Sequence, residues 1–258
     1  MLTGHILKEG KKIFFASDFH LGAPGREKSL HRERILVEWL NEIQPRAEAL
    51  YLLGDVFDFW FEYKKAVPKG FVRFLGKMAE FYDRGIPVHF FTGNHDLWIF
   101  DYLPREVGFI IHREPLEVTL GEKHFYLAHG DGLAQGDGRF KLLKKVFTNP
   151  FAQWLFGRLH PNLGISLAHR WSLSSRDVHQ EPEKFRGEEN EMLVQHARKM
   201  LGKAHFDYLI FGHRHMAVDY PLNEQSRYIN LGDWIDHYTY GEFDGKEFQL
   251  KTYTSSGS

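Results

Sequence analysis

The sequence predicts an α/β fold that becomes α+β in part toward its C-terminal end. Three observations carry this. Apolar runs of strand length alternate with segments of helical period through about the first hundred residues. Each of those runs stops at a polar segment rich in acid, amide or imidazole. Beyond Leu103 the alternation gives way to closely spaced strands joined by turns. With 258 residues and 43% hydrophobic composition the chain can bury one sizeable core, so a single domain over residues 1–253 is expected.

Ile13 to Ser17 is a short apolar run read as a buried strand. Leu30 to Ile43 has apolar residues at helical spacing, with Pro45 as a stop signal. Ala49 to Leu53 is a second strand, Phe71 to Tyr82 a helix closed by Gly85, and Ile86 to Thr92 a third strand. This βαβαβ order implies parallel strands with their carboxyl ends on one edge. Phe109 to Ile111, Leu116 to Leu120 and His124 to Ala128 read as short strands, partly joined as a hairpin around Gly121. Arg139 to Arg176 then interrupts the sheet with helical patterning broken at Pro150 and Pro161, and a helix follows over about 188–202. Residues 139–202 are thus expected to form a helical cap insertion. Tyr208 to Phe211 resumes the strands, and Arg227 to Leu231, Tyr238 to Phe243 and Phe248 to Tyr253 are expected to complete an antiparallel part. Residues 254–258 read as a disordered tail.

Composition removes several function classes. There is no cysteine, so disulfides and thiolate sites are excluded, and any metal must be held by His, Asp, Asn or Glu. A net charge of -1 gives no overall attraction to nucleic acid or anionic lipid. Met1 to Lys12 lacks the apolar core of a signal peptide, and no stretch approaches the roughly 20 apolar residues of a membrane span. A cytoplasmic protein, soluble or peripheral to a membrane, is expected.

Five segments carry chemistry: Asp18-Phe19-His20, Gly54-Asp55, Gly93-Asn94-His95-Asp96, His129-Gly130 and Gly212-His213-Arg214-His215. Asp18 and His20 alternate by two, as do His213 and His215; on an extended strand end such a pair points to one side and can grip one ion. Asp55 has two oxygens, enough to bridge two cations about 3.5–4 Å apart. Asn94 adds a neutral carbonyl oxygen and His129 an imidazole. Oxygen and nitrogen donors without sulfur suit Mn, Fe or Zn. Gly54, Gly93, Gly130 and Gly212 leave room for backbone and ligands to crowd around an ion or a phosphate. Singly, each segment has a plainer reading: Asp-x-His as a surface turn, Asn94-His95-Asp96 as a helix N-cap, Arg214 as an ion-pair partner rather than a phosphate contact. Their coincidence in order, each at a strand end, favours a dimetal site for phosphoester cleavage.

The ordered set Asp-x-His, Gly-Asp, Gly-Asn-His-Asp, His-Gly and Gly-His-x-His resembles the calcineurin-like metallophosphoesterase superfamily over nearly the whole chain. The resemblance implies a four-layer αββα sandwich of two mixed sheets flanked by helices. It implies two divalent metal ions, Mn²⁺ by family preference, with Zn²⁺ or Fe²⁺ fitting the same donors. One ion would be held by Asp18, His20, Asp55 and His215, the other by Asp55, Asn94, His129 and His213. His95 would lie near the scissile phosphate, oriented by Asp96, and a water or hydroxide bridging the ions would be the nucleophile. Ser17 to Gly22, Gly54 to Trp60 and Tyr228 to Trp234 are similar to the UDP-2,3-diacylglucosamine hydrolases of lipid A biosynthesis. That family cleaves a pyrophosphate to give UMP and 2,3-diacylglucosamine 1-phosphate. Its best-known branch carries Arg where this chain has His95, so the chain is identified as a divergent branch.

Independent evidence about the substrate comes from Arg139 to Arg176, which holds seven Lys/Arg and no Asp or Glu, interleaved with Phe140, Phe147, Phe151, Trp154, Phe156 and Trp171. Such composition best suits an anionic membrane surface or acyl chains, next a helical cap that simply packs, and last stacking on single-stranded nucleic acid. The first reading makes the partners a nucleotide-linked lipid and the inner membrane, with neither nucleic acid nor an obligate protein partner expected. Arg139, Lys145, Arg176 and Arg214 are the candidates for gripping the pyrophosphate. The competing readings are a superfamily phosphodiesterase acting on a nucleotide or nucleic acid, disfavoured by near-neutral charge, and a non-catalytic scaffold, disfavoured by the complete ligand set.

Overall fold

The computed structural model describes residues 7–133, 144–167, 185 and 187–255. Its strands in chain order are β1 (Lys12–Ala16), β2 (Ala47–Leu52), β3 (Val88–Phe91), β4 (Ile110–His112), β5 (Leu116–Leu120), β6 (Lys123–Ala128), β7 (Tyr208–Phe211), β8 (Ala217–Pro221), β9 (Arg227–Leu231), β10 (Thr239–Phe243) and β11 (Phe248–Thr252). Its helices of five or more residues with defined ends are α1 (Arg26–Ile43), α2 (Val72–Asp83), α3 (Tyr102–Val107), α4 (Pro150–Phe156) and α5 (Met192–Leu201).

Six strands form one sheet in the order β11-β10-β1-β2-β3-β4, and five form another in the order β5-β6-β7-β9-β8. In the first, β1 to β4 are parallel and β10 and β11 antiparallel. In the second, β6, β7 and β9 are parallel, with β5 and β8 antiparallel at the two edges.

The period of two along each strand sorts the side chains into layers. Ile13, Phe15, Tyr51 and Leu53 face Phe125, Leu127, Ile210 and Ile229 across the gap between the sheets. The alternate residues Phe14, Leu50, Leu52 and Phe90 face outward, against Leu36, Trp39 and Leu40 of α1 and Phe74, Met78 and Phe81 of α2. On the other side Tyr126, Leu209 and Phe211 pack on Leu193, Val194 and Ala197 of α5. The result is a helix–sheet–sheet–helix sandwich, as expected.

Helix ends follow from local chemistry. Glu33 of α1 accepts hydrogen bonds from the N–H groups of Arg73 and Phe74, satisfying the start of α2, which has no side-chain cap of its own. Asn149 accepts from the N–H groups of Phe151 and Ala152, and Pro150 fills the first position of α4, where no N–H is required. The helical residues 161–167 likewise begin at Pro161, so both prolines that interrupt the pattern also restart a helix.

Three features differ from the sequence expectation. Arg227 to Leu231 is not part of an antiparallel unit with the last two strands; β9 pairs parallel with β7, in the other sheet. The chain leaves β7, runs out to the sheet edge as β8 and returns as β9. β8 and α3 were not expected at all, since β8 is a half-exposed edge strand of five residues that ends in Pro221 and α3 spans only six residues. The helix expected over 188–202 is a 3₁₀ turn at Glu188–Asn190 followed by α5. At the C-terminus the Ser255 hydroxyl donates to Glu38, and residues 256–258 lie outside the described part. Among the described residues no helix is long and apolar enough to cross a membrane.

Candidate metal centre

Every ligand-type segment follows the carboxyl end of a parallel strand. Asp18 and His20 come after β1, Asp55 after β2, Asn94 and His95 after β3, His129 after β6, and His213 and His215 after β7. Because these strands belong to both sheets, their loops meet at one end of the sandwich. The first two are laced together: the N–H groups of Asp18, His20 and Leu21 donate to the carbonyls of Gly54, Asp55 and Val56 at 3.0, 2.9 and 2.9 Å.

The two i, i+2 pairs are not extended. Asp18 (φ 56°), His20 (φ 43°), Asp55 (φ 50°), His213 (φ 71°) and His215 (φ 46°) all occupy the left-handed region. Residues other than glycine enter it at a cost of order 1–3 kcal/mol each, a strain that clusters at functional sites. Gly93 and Gly212 are needed for space: a Cβ on Gly93 would lie 2.7 Å from the Asp55 nitrogen, and one on Gly212 would lie 2.6 Å from Asp18 Oδ2.

The side chains converge in two groups, Asp18–His20–His215 and Asp55–His129–His213, linked by a third, His20–Asp55–His95, that shares one residue with each. Nε2 of His20 lies 3.1 Å from Nε2 of His215, and these nitrogens are 3.7 and 3.4 Å from Oδ1 of Asp18. Oδ2 of Asp55 is 3.8 Å from His20 Nε2 and 3.4 Å from His129 Nε2, and so faces both groups. Asn94 Oδ1 is 3.4 Å from His129 Nε2. The donors fit divalent cations on one decisive point. Asp18 Oδ1 is buried without a hydrogen-bond partner although two imidazole nitrogens face it. A bare anionic oxygen in such a setting is costly unless a cation completes it.

The electrostatics agree. Burial opposes ionisation of Asp18, yet the facing imidazoles of His20 and His215 and the nearby charge of His129 together hold its carboxyl well below the usual range. Burial likewise opposes ionisation of Asp55, and the charges of His129, His95 and His20 together more than offset it. His129 is pushed up to about 10, because the Asp55 carboxylate outweighs the burial penalty; His213 is pushed down to about 4 by burial and by His129. The carboxylates thus favour a positive charge at His129, a place a metal ion would take by displacing the proton. The tautomer is already arranged for that exchange. His129 donates from Nδ1 to the Leu53 carbonyl at 2.7 Å, which turns Nε2 toward the site.

His95 and Asp96 part company. His95 donates from Nδ1 to the backbone carbonyl of Asp58 at 2.9 Å, leaving Nε2 free of that bond. Asp96 does not orient it as expected. Its carboxylate accepts from the N–H groups of Gly93, Val56 and Phe57 at 2.7, 2.9 and 3.4 Å and joins the loops after β2 and β3. Burial and the Asp55 charge push the Asp96 carboxyl up to about 7. Arg214 is turned away from a phosphate-gripping role: its guanidinium pairs with the buried Glu191 carboxylate at 3.2 Å. Lys145 is exposed, whereas its neighbour Lys144 reaches inward to Asp131, two residues after His129, at 2.8 Å. Arg139 and Arg176 lie outside the described residues.

Two carboxylates behind the ligands were not singled out from sequence. Asp58 is buried, with Oδ1 3.7 Å from Nδ1 of both His20 and His95. Asp233 Oδ2 lies 3.6 Å from Nδ1 of His215, while its Oδ1 accepts from the N–H groups of Ile235, Asp236 and His237. The signal was present, since both sit inside the segments Gly54 to Trp60 and Tyr228 to Trp234 that carried the resemblance.

Comparison with known proteins agrees with this geometry. Residues 11–217 match the family described as calcineurin-like phosphoesterase. A UDP-2,3-diacylglucosamine hydrolase of Porphyromonas gingivalis is 40% identical over 254 residues, covering 93% of this chain and 97% of that protein. Proteins of the same name from Actinobacillus succinogenes and Haemophilus influenzae are 26% and 27% identical, covering 86% and 88% of this chain and 92% of each of those proteins.

Proposed function

This chain belongs to the calcineurin-like phosphoesterase family, and from that premise we propose that it hydrolyses the pyrophosphate of UDP-2,3-diacylglucosamine to UMP and 2,3-diacylglucosamine 1-phosphate. The observation that carries the chemistry is the pair of ligand groups with Asp55 facing both, and a bare Asp18 oxygen among imidazoles. The substrate rests on the relatives' names. Asp18, His20, Asp55 and His215 would hold one ion, and Asp55, Asn94, His129 and His213 the other. Mn²⁺ is the ion we assign, and Zn²⁺ or Fe²⁺ suits the same donors.

Two bound divalent ions would lower the pKa of a shared water and neutralise phosphate charge. The chain's own residues do the rest. The Leu53 carbonyl and Asp233 orient His129 and His215. Asp58 orients His95 through Nδ1; in the imidazolium form, with a second proton on Nε2, the ring would protonate the departing phosphate oxygen or stabilise its charge. Asp96 keeps the loops carrying Asp55 and Asn94 in register.

The cap supports a lipid-bearing substrate at the cytoplasmic face of the inner membrane. Its inner side, Phe147 and Phe156, packs on Phe61, Leu97 and Trp98, next to the loops of Asp55 and His95. Its outer side carries Val146, Phe151, Trp154, Leu155, Leu163 and Leu167, six of the eleven exposed large apolar side chains among the described residues. Arg158 stacks over Trp154 at 4.5 Å, and Lys145 is exposed nearby in sequence. Exposed apolar groups concentrated beside cations suit an anionic bilayer surface.

The test is UMP release from UDP-2,3-diacylglucosamine by purified protein with Mn²⁺. Release is expected, and Asp55→Ala should abolish it. Turnover of nucleotide or oligonucleotide diesters without UMP release would overturn the assignment.

A further inference from the structure

We infer that the first half of α1 is a positioning element for the metal centre: Ser29 and Arg32 hold the loop after β1 in the left-handed geometry that presents Asp18 and His20 to their ion. Three residues of that loop alternate in positive φ, Asp18 at 56°, His20 at 43° and Gly22 at 114°. A peptide left to itself does not keep such a series. The carbonyls of Phe19, His20 and Ala23 converge on one point, where Arg32 Nη1 donates to them at 2.9, 2.9 and 3.1 Å. Ser29 Oγ accepts from the Gly22 N–H at 2.7 Å. Both side chains are buried, at 4% and 5% exposure, on a helix face otherwise occupied mostly by apolar residues packed on the sheet.

The placement is informative because a buried guanidinium is expensive and stays charged at any working pH. Here it is solvated by carbonyl dipoles of the ligand loop. The loop faces two ways: its side chains Asp18 and His20 point to the ion, and its carbonyls point to Arg32. Arg32 therefore acts through the backbone of the ligands, before any ion arrives. The reading rests on the metal centre proposed above but not on its substrate.

The test is Mn²⁺ binding to the metal-free full-length chain, with free ion followed by its electron paramagnetic resonance signal. Wild type should take up two ions, and His215→Ala identifies which step belongs to the Asp18–His20 ion. Arg32→Gln should weaken that step by about tenfold or more, the range expected for groups that orient ligands. The other step should stay within about threefold of wild type. Arg32→Lys, whose ammonium carries three donors for the three carbonyls, should recover most of the loss. Equal weakening of both steps, or of neither, would overturn the inference. Should Arg32→Gln not fold, Ser29→Ala decides: it removes only the Gly22 acceptor, and an unchanged first step would refute the positioning role. A wild-type chain that binds no Mn²⁺ would overturn the metal centre as well, whereas failure to release UMP would leave this inference untouched.

Discussion

If the cap docks on a bilayer as proposed, removing Phe151 and Trp154 together should weaken binding to anionic vesicles while sparing the chemistry. The two rings stack with centroids 5.9 Å apart on the outer face of α4 and are 71% and 54% exposed. Complete burial of a large apolar side chain contributes about 1.5–3 kcal/mol. Scaled by their exposed fractions, the two together would contribute about 2–4 kcal/mol if the face enters a bilayer, or roughly 20- to 500-fold in partitioning at 1.4 kcal/mol per decade. Alanine is a good helix former, so α4 should survive the change. Co-sedimentation with vesicles containing anionic phosphatidylglycerol should therefore fall by at least about tenfold in Phe151→Ala/Trp154→Ala. Cleavage of a small soluble phosphodiester such as bis(p-nitrophenyl) phosphate should be unchanged. Partitioning within about threefold of wild type would refute the argument and return the cap to ordinary packing.

Asp233→Asn keeps the oxygen that accepts the three backbone N–H bonds and alters the one that faces Nδ1 of His215 at 3.6 Å and Nδ1 of His237 at 3.1 Å. Calorimetric Mn²⁺ affinity should drop about 10–100-fold with little change in the melting temperature of the metal-free protein; unaltered affinity would count against His215 as a ligand. Gly93→Ala places a Cβ 2.8 Å from Asp55 Cγ, so one loop must yield. A displacement of about 1 Å should cost roughly 100-fold in turnover with the circular dichroism spectrum intact, and wild-type turnover would show that the bridge tolerates movement. Glu242 concerns stability. Burial raises its carboxyl, but Lys12 and Lys251 hold it below its ordinary value of 4.5. A depressed folded value means that the ionised form stabilises the fold above 4.5 and the contribution is lost as the pH falls through the folded value. The urea stability gap between wild type and Glu242→Gln should thus be full at neutral pH and close in acid; a gap independent of pH would contradict the ion pairing.

The residues that converge at the candidate metal centre were legible in the sequence because strand ends can be found from apolar runs and ligand-type residues from their chemistry. Ile13 to Ser17 and Tyr208 to Phe211 announce where Asp18 and His213 must lie. The backbone of those ligands was not legible. The alternation of left-handed residues at Asp18 and His20 depends on Arg32 of the following helix and on the carbonyls of Gly54 and Asp55. Neither shows in an Asp-x-His pattern. Asp96 and Arg214 have the right chemistry for catalysis or phosphate binding, yet Asp96 is occupied by three backbone N–H groups and Arg214 by Glu191. Lys144 and Lys145 are adjacent and identical in type; which one turns inward depends on the helical phase of residues 144–147 relative to Asp131. Edge strand β8 escaped because its side chains are largely exposed and carry no apolar alternation strong enough to mark it.

The division of the proposed ligands between the sheets would have a thermodynamic consequence. Asp18, His20, Asp55 and Asn94 hang from the six-stranded sheet, and His129, His213 and His215 from the five-stranded one. Occupying the site would therefore rivet the two halves of the sandwich, and any excursion that parts the sheets must first release ions. An ion present at a hundredfold excess over its dissociation constant adds about 2.7 kcal/mol to that opening. A cell short of the metal would thus lose more than turnover: the protein itself would open more often and be cleared by proteases sooner.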